Sequence, residues 1–406
     1  MLAHETLQRL TSLAAFQPTG ETVGNLTIGR GNWKGVAMHV ALVENRIASG
    51  SLGVKECDKL ASLFKVVAMQ KMPLLVYLDS AGARVSEGLP ALGAFRRMYA
   101  AALRGVDAGV TFVAVCGANC FGGASMLASL ASVRYFSANT RFAMSGPAIL
   151  AQSAGVSVLD DMFLAMSQAA IGGEARAKLA PDNFPADAMA AMVFPNRPLD
   201  LKTRHTDLGA RLATVEKLRR TTPAEKIERN DLAKLYADGY RLVEQDGIVN
   251  GDATVAGEAV TLLGAINGRL IGAARAHVLA TKVWALVNTP PAQLHMLIDC
   301  ESHATSLDDE RVMLSAYIAD LASALAALVR AGTRIETTVL GKLGGGVYVA
   351  LAAPSVAVNL LYGKEIQLLP GKALASILGD AGATKFEFAE YLKSGVAERE
   401  IKLGLV

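Results

Sequence analysis

Twice in 406 residues an apolar run stops at a cluster of glycines and passes directly into a helix of small residues. The first occurrence is "VCGANCFGGASMLASL" and the second "LGKLGGGVYVALA". A strand that turns on glycine into a helix is a unit of a layered α/β protein, whose parallel strands are joined by right-handed crossovers. What lies upstream repeats too. In the first half the sequence predicts a strand "GVAMHVALVE" (Gly35 to Glu44), a helix from Lys55 to Gln70, a strand "PLLVYLD" (Pro73 to Asp79), a helix from about Ala91 to Leu103 and a strand "GVTFVAVCG" (Gly109 to Gly117). In the second half "LIGAARAH" (Leu270 to His277) reads as a strand, followed by a helix to Val287, the strand "QLHMLIDC" (Gln293 to Cys300), a helix from Leu314 to Ala331 and the strand "IETTVLGK" (Ile335 to Lys342). Laying one half on the other sets Asp79 opposite Asp299 and the glycines of "FGGAS" opposite those of "LGGGVY". The expectation is a duplicated α/β chain with domains at 1–205 and 236–406, joined by a charged linker at 206–235. Across Lys202 to Lys234 charges of both signs alternate, as on a solvated connecting helix.

Composition narrows the function classes. A hydrophobic share of 52% against 19% charged residues suggests surface buried against another copy, so a homo-oligomer is expected. A net charge of +3 without a concentrated basic face argues against nucleic acid. Cys57, Cys116, Cys120 and Cys300 are scattered with no CxxC pair, which suggests neither a zinc ribbon nor a disulfide framework and fits a reducing cytoplasm. No metal is expected. The N-terminal stretch lacks the apolar core of a secretory signal, and no apolar run approaches the ~18 residues of a membrane span.

The glycine turns carry the chemistry. A helix start presents unpaired backbone N–H groups, and its dipole favours negative charge there. Gly122 and Gly123 in the first half, and Gly345 and Gly346 in the second, therefore form two candidate cradles for oxygens on which charge develops. Neither has a phosphate-binding GxxxxGK[ST] or GxGxxG spacing, and no serine lies in a GxSxG elbow. Cys120 reads either as a low-pKa thiol at a helix start or as a small buried hydrophobe. Arg84 and Glu87 read as an ion pair shaping a loop, or as an acid and base beside a site. His303, just after a core strand, is either catalytic or a surface residue.

"LDSAGARVSEG" (Leu78 to Gly88) resembles the D-S-G-G-A-R-x-x-E-G segment of the carboxyltransferase family, which includes acyl-CoA carboxylase carboxyltransferases and the malonate decarboxylase β subunit. Ala81 replaces one glycine. "CFGGAS" (Cys120 to Ser125) and "MSGPAIL" (Met144 to Leu150) are similar to that subunit's glycine turn and its GP segment. In the second half "LSAYIADLASALAALVRAG", "LGKLGGGVYVALA" and "YGKEIQLLPGKALASIL" (Tyr362 to Leu378) resemble the malonate decarboxylase γ subunit or the C-terminal carboxyltransferase domain, with "LIDCES" in the place of the usual DTPG-type segment. Asp299 to Ser302 lack the proline and glycine of the family loop, and the four-cysteine zinc ribbon of some carboxyltransferase β subunits is missing. That second omission favours malonate decarboxylase.

The resemblance implies a crotonase/ClpP-like ββα superhelix, duplicated in two similar domains. It implies decarboxylation of a malonyl thioester, on acyl carrier protein or coenzyme A, to the acetyl thioester and CO2 through an enolate held in a backbone oxyanion hole. The alternative is a biotin-dependent acyl-CoA carboxyltransferase. The catalytic groups would be the amides of Gly122, Gly123, Gly345 and Gly346. Substrate would be lined by Ser80, Ala81, Gly82, Ala83, Arg84, Cys120, Phe121, Ser145, Gly146, Pro147, His303 and Tyr348, with Tyr348 and His303 as candidate proton donors. No tightly bound cofactor is implied; biotin enters only under the alternative. An acyl carrier protein and an acyl-transfer subunit are the expected partners. Gly123→Val is expected to abolish activity without unfolding the chain.

Overall fold

The computed structural model describes residues 1–156, 159–191, 194–195, 197–215, 222–371, 373–374 and 386–403. The span Tyr362 to Leu378 and the charged span 206–235 each run partly outside the described residues. Among the described residues no helix is long and apolar enough to cross a membrane. The chain divides into two compact units, Met1–Thr203 with Thr305–Ala319, and Arg204–Ala304 with Asp320–Val406.

The first unit is built on strands β1 (Gln17–Pro18), β2 (Leu26–Trp33), β3 (Val36–Val43), β4 (Leu74–Ser80), β5 (Phe112–Phe121), β6 (Val133–Phe136), β7 (Arg141–Ala143) and β8 (Asn183–Pro185). Their order is β1-β2-β3-β4-β5-β6-β8, with β7 paired to the end of β5. The helices are α1 (Ala3–Leu13), α2 (Val54–Gln70), α3 (Gly88–Asp107), α4 (Gly123–Ser129), α5 (Pro147–Ser153), α6 (Asp161–Ile171) and α7 (Gly173–Leu179). All seven residues of β4 are buried, which explains its unbroken apolar run: a parallel strand covered on both faces has no polar side. Trp33, Tyr77, Val113, Val115, Tyr135 and Met189 lie in one core cluster of this unit.

The second unit contains β9 (Glu225–Lys226), β10 (Tyr240–Gln245), β11 (Ile248–Val255), β12 (Glu258–Ala265), β13 (Gln293–Cys300), β14 (Arg334–Gly344), β15 (Ala357–Leu361), β16 (Glu365–Gln367) and β17 (Arg399–Ile401). The further helices among the described residues are α8 (Leu201–Val215), α9 (Asn230–Leu235), α10 (Ala273–Asn288), α11 (Leu307–Arg311, in the first unit), α12 (Leu314–Arg330), α13 (Gly345–Ala352) and α14 (Phe388–Lys393). Within the charged span, α8 buries Leu208 and Leu212 and α9 buries Leu232.

The two sheets are wired alike. The pair β2–β3 is antiparallel, β3, β4, β5, β6 and β8 run parallel, and β7 joins β5; the pair β11–β12 is antiparallel, β12, β13, β14, β15 and β17 run parallel, and β16 joins β14. The register slips between Leu78 and Ser80 in one sheet and between Ile298 and Cys300 in the other, so Asp79 and Asp299 occupy the same irregular position. A single bridge follows each slip, Leu52 to Ala83 and Ile271 to His303. The antiparallel turns Lys34-Gly35 (φ 49° and 91°) and Ala256-Gly257 (φ 51° and 82°) are equivalent as well, both two-residue loops with left-handed backbone that match the strand twist. The duplicated ββα architecture is the one the resemblance implies.

One reading is corrected. Leu270 to His277 is not a strand: only Ile271 makes a bridge, and α10 begins at Ala273 behind the N-cap Gly272. Ala273, Ala276, Leu279, Ala280 and Val283 are buried at helical spacing, and alanine is the strongest helix former. The strand that pairs with β13 is β12, "EAVTLLGA", which the sequence reading passed over.

Candidate functional site

In the first unit β5 runs into Gly122 (φ 54°, ψ −125°) and then α4. Only glycine adopts that conformation readily. The Gly122 N–H donates to the Ala143 carbonyl at 3.1 Å, and the Gly122 carbonyl accepts from the Met126 N–H at 3.1 Å and from Ser125 Oγ at 2.8 Å. Gly122 is therefore corrected from donor to hinge, since its amide is already spent. The first intrahelical bond closes on its carbonyl, so the Gly123, Ala124 and Ser125 amides have no acceptor within α4. Gly123 is half-buried, and a Cβ there would meet the buried Phe95 ring at 2.3 Å. Gly123→Val is consequently expected to disturb the core as well, correcting the sequence-based expectation of an intact fold.

Ser80 to Arg84 lies beside this turn. Ala81 N–H donates to Ser49 O at 2.9 Å and Gly82 N–H to Ser80 Oγ at 3.1 Å. The bridge to Leu52 uses the Gly82 carbonyl (2.7 Å) and the Arg84 N–H (2.9 Å), so the intervening Ala83 N–H is turned to the opposite side. Gly82 has φ 92°, and a Cβ on it would sit 2.9 Å from Phe121 O and 3.0 Å from Gly123 N. The loop thus lies flush against the start of α4, bringing the Ala83 and Gly123 amides into one neighbourhood.

Asp79 anchors the slip in β4. Its Oδ1 accepts from Asn119 N–H at 3.0 Å and Oδ2 from Ala118 N–H at 3.2 Å. Burial raises the carboxyl above its ordinary value while these two amides pull it down. Arg84 forms ion pairs with Glu56 and, at 2.8 Å, with Glu87, and Nη2 donates to Ser51 O at 2.7 Å. Glu87 also accepts from Val54 N–H at the start of α2. The guanidinium is spent on the scaffold, which corrects Arg84 from a substrate contact to a loop brace. Cys120 is fully buried, and burial raises its thiol well above the usual range, which excludes the reactive reading.

Ser145, Gly146 and Pro147 lead into α5. The Met144 and Ser145 amides both donate to Glu310 Oε1, at 2.9 and 3.1 Å. Glu310 belongs to α11 and is wholly buried with Arg176 Nη2 3.8 Å from its other oxygen. Sequence reading missed it, because nothing local marks a glutamate 166 positions away. Burial pushes its carboxyl up to about 7, against the opposing pull of Arg176 and the two amides. Pro147 also lines a cavity of about 320 Å³ with Arg141, Leu164, Ser167, Gln168 and Ile171. Arg141 stacks over the Phe121 ring, 5.9 Å from its centroid.

The second unit repeats the plan with different side chains. Gly345 has φ 55°, matching Gly122, and starts α13, where Gly346 is half-buried. Ser302 stands where Gly82 does, its carbonyl accepting from Ile271 N–H at 3.2 Å, and Ala304 N–H donates to Ile271 O at 2.9 Å. His303, at the place of Ala83, is buried with Nδ1 3.2 Å from Ser302 Oγ. Burial lowers its pKa to about 4, so the ring is neutral near pH 7. Tyr348 is fully buried and its hydroxyl donates to Val396 O at 2.8 Å, which corrects it from proton donor to core residue. Asp299 Oδ1 accepts from Lys342 N–H at 3.1 Å, as Asp79 does from Asn119.

Residues 8–173 match the carboxyl transferase domain family. The carboxyl transferase match contains the Ser80–Arg84 loop, the first glycine turn and Ser145 to Pro147. The chain is 21% identical over 398 residues, 95% of its own length and 74% of the relative's, to the methylmalonyl-CoA carboxyltransferase 12S subunit of Propionibacterium freudenreichii subsp. shermanii. It is 30% identical over 151 residues to the acetyl-coenzyme A carboxylase carboxyl transferase subunit beta 2 of Lachnospira eligens, spanning 37% of this chain and 58% of that relative. Among solved structures, a Pseudomonas malonate decarboxylase hetero-tetramer in complex with malonate is similar over 54% of this chain and 92% of that chain, with a TM-score of 0.44 and 21% identity. The transcarboxylase 12S hexamer is similar over 99% and 87%, with a TM-score of 0.40 and 19% identity.

Proposed function

We propose that the chain is an enzyme that makes or breaks a carboxyl C–C bond next to an acyl thioester, and that its reaction is decarboxylation of a malonyl thioester. The observation that supports this reading is the close seat of the Gly82 loop on the Gly123 nitrogen, which lets the Ala83 and Gly123 amides serve one oxygen, within the carboxyl transferase match. The thioester oxygen accepts from both. As the bond between Cα and the carboxylate carbon breaks, its electron pair moves into the enolate, CO2 leaves, and a proton from water completes the acetyl thioester. The step needs no general base, only fixed dipoles where the charge appears, and removing one such donor typically costs about 2.7–4 kcal/mol. Half-exposed Phe121 and the cavity beside Pro147 supply an apolar wall for the acyl or pantetheine arm. The second unit carries the corresponding amides, Gly346 and His303, as a candidate oxygen cradle of its own. The acyl group rides on acyl carrier protein or coenzyme A, an acyl-transfer subunit loads it, and copies of the chain associate.

A second reading, biotin-dependent transfer of a carboxyl group to or from an acyl-CoA, is favoured by the relationship to the 12S carboxyltransferase along 95% of the chain. Incubating the purified chain with malonyl-CoA, or malonyl-acyl carrier protein, separates the two. CO2 release without biotin is the expected result. Turnover that appears only with carboxybiotin replaces the first reading with the second, and acyl binding without turnover in either assay overturns both.

A further inference from the structure

In the second unit, three helices bring together a group of side chains that the thioester chemistry does not use. His205 lies on α8, His277 on α10 and Asp320 on α12, and one donor atom from each lies within 4.8 Å of the others. His205 Nδ1 is 2.7 Å from Asp320 Oδ2, and the His205 and His277 rings stack with centroids 4.6 Å apart. Asp320 is 3% exposed, and its other oxygen accepts from Trp284 Nε1 at 3.2 Å.

The protons around His205 decide what sits there. Thr281 Oγ1 lies 2.8 Å from the His277 carbonyl oxygen one helical turn back. Its single hydrogen can serve either that carbonyl or His205 Nε2, 3.2 Å away, so two ring tautomers fit the contacts of His205. With the proton on Nδ1 the ring donates to Asp320; with the proton on Nε2, Nδ1 is a bare lone pair facing a carboxylate oxygen, and a cation, either a second ring proton or a metal ion, joins them. Gly209, one turn beyond His205 on α8, keeps a side chain away from His277 Nε2, since a Cβ there would lie 2.9 Å from that nitrogen. Two imidazoles and a carboxylate are the donor set of zinc-class divalent ions, and bond lengths of about 2.0–2.2 Å put donors on one ion about 3–4 Å apart, within reach of small rotamer adjustments. Thr281 and Trp284 already make the outer hydrogen bonds that orient such ligands.

We propose that His205, His277 and Asp320 bind a divalent transition-metal ion of the zinc class, clamping α8, α10 and α12, with water completing the coordination. The site is independent of the thioester reading. Untagged full-length chain, stripped with chelator, is titrated with Co(II) and then Zn(II). One equivalent of Co(II) is expected to give visible bands of a four- or five-coordinate site that Zn(II) abolishes, with a metal-dependent rise in melting temperature. His205→Ala, His277→Ala and Asp320→Asn each remove the bands and the rise; should the buried Asp320→Asn variant not fold, the half-buried His277→Ala decides. Absence of Co(II) bands in the wild type overturns the site, as do variants that bind like the wild type. So does a nitrogen NMR spectrum showing His205 protonated at both nitrogens and unmoved by Zn(II), which would make the cation a proton.

Discussion

A methyl group at Gly82 would sit 3.0 Å from the Gly123 nitrogen, where the proposed oxyanion lies. Gly82→Ala is expected to lower turnover about 10²–10³-fold, the loss typical of one missing donor, with an unchanged circular-dichroism spectrum. Its left-handed backbone adds a stability cost of about 1–3 kcal/mol. Turnover within threefold of wild type in a folded variant removes this loop from the mechanism. Gly123→Ala acts differently, because its Cβ meets Phe95 at 2.3 Å. The variant is expected to melt several degrees lower, and Phe95→Leu to restore part of that loss in the double mutant; strictly additive losses refute the clash. Glu310 gives a pH signature. Its pKa is raised in the folded chain to about 7 from an ordinary 4.5, so the folded state holds the proton more tightly. That contribution is full below the ordinary value and is lost as pH rises through about 7. The melting temperature is expected to fall between pH 5 and pH 8, and Glu310→Gln to flatten that slope; an equally steep slope in the variant means another group is responsible.

For the elements, the correction at α10 is itself testable by sign. Val278 is 43% exposed on this helix, so Val278→Ala is expected to stabilise by up to about 0.6 kcal/mol in chemical denaturation, whereas in a strand the same change would destabilise. The sequence revealed β13 at its true bounds, because a strand buried on two faces is a compact apolar word closed by Asp-Cys. It hid β12 and α10 from each other, since "EAVTLLGA" and "LIGAARAH" are equally apolar and only the alanine spacing tells helix from strand. The Asp246-Gly247 turn between β10 and β11, with φ 55° and 83°, has the left-handed pair that an Asp-Gly dipeptide favours in a two-residue hairpin. At the glycine turns the residue types were legible, but the donor identities were not. Whether Gly122 gives its N–H to a ligand or to Ala143 depends on β7, a pairing no spacing discloses. The same holds for His205 and Asp320, 115 positions apart.

On the scale of the whole molecule, the first compact unit is discontinuous, because it takes in Thr305–Ala319. Leu307 packs against the cluster of Leu150, Phe163 and Ile171, and Glu310 receives the Met144 and Ser145 amides. A fragment ending at residue 203 is therefore expected to melt below the corresponding transition of the full chain and to be cut faster by protease near α5 and α6. Glu310→Ala in the full chain should reproduce part of that weakening. Equal stability of the fragment would show that the inserted segment is dispensable to the unit.

This interleaving also sets the order of events at the ribosome. Residues up to Thr203 emerge first, yet the glutamate that fastens Met144 and Ser145 is translated about a hundred positions later. At synthesis rates of about 5–20 residues per second, the nascent unit waits roughly 5–20 s with that segment unfastened. During this interval the cluster of Leu150, Phe163 and Ile171 lacks its Leu307 contact, so the last fastening of the first unit is timed by translation of the second.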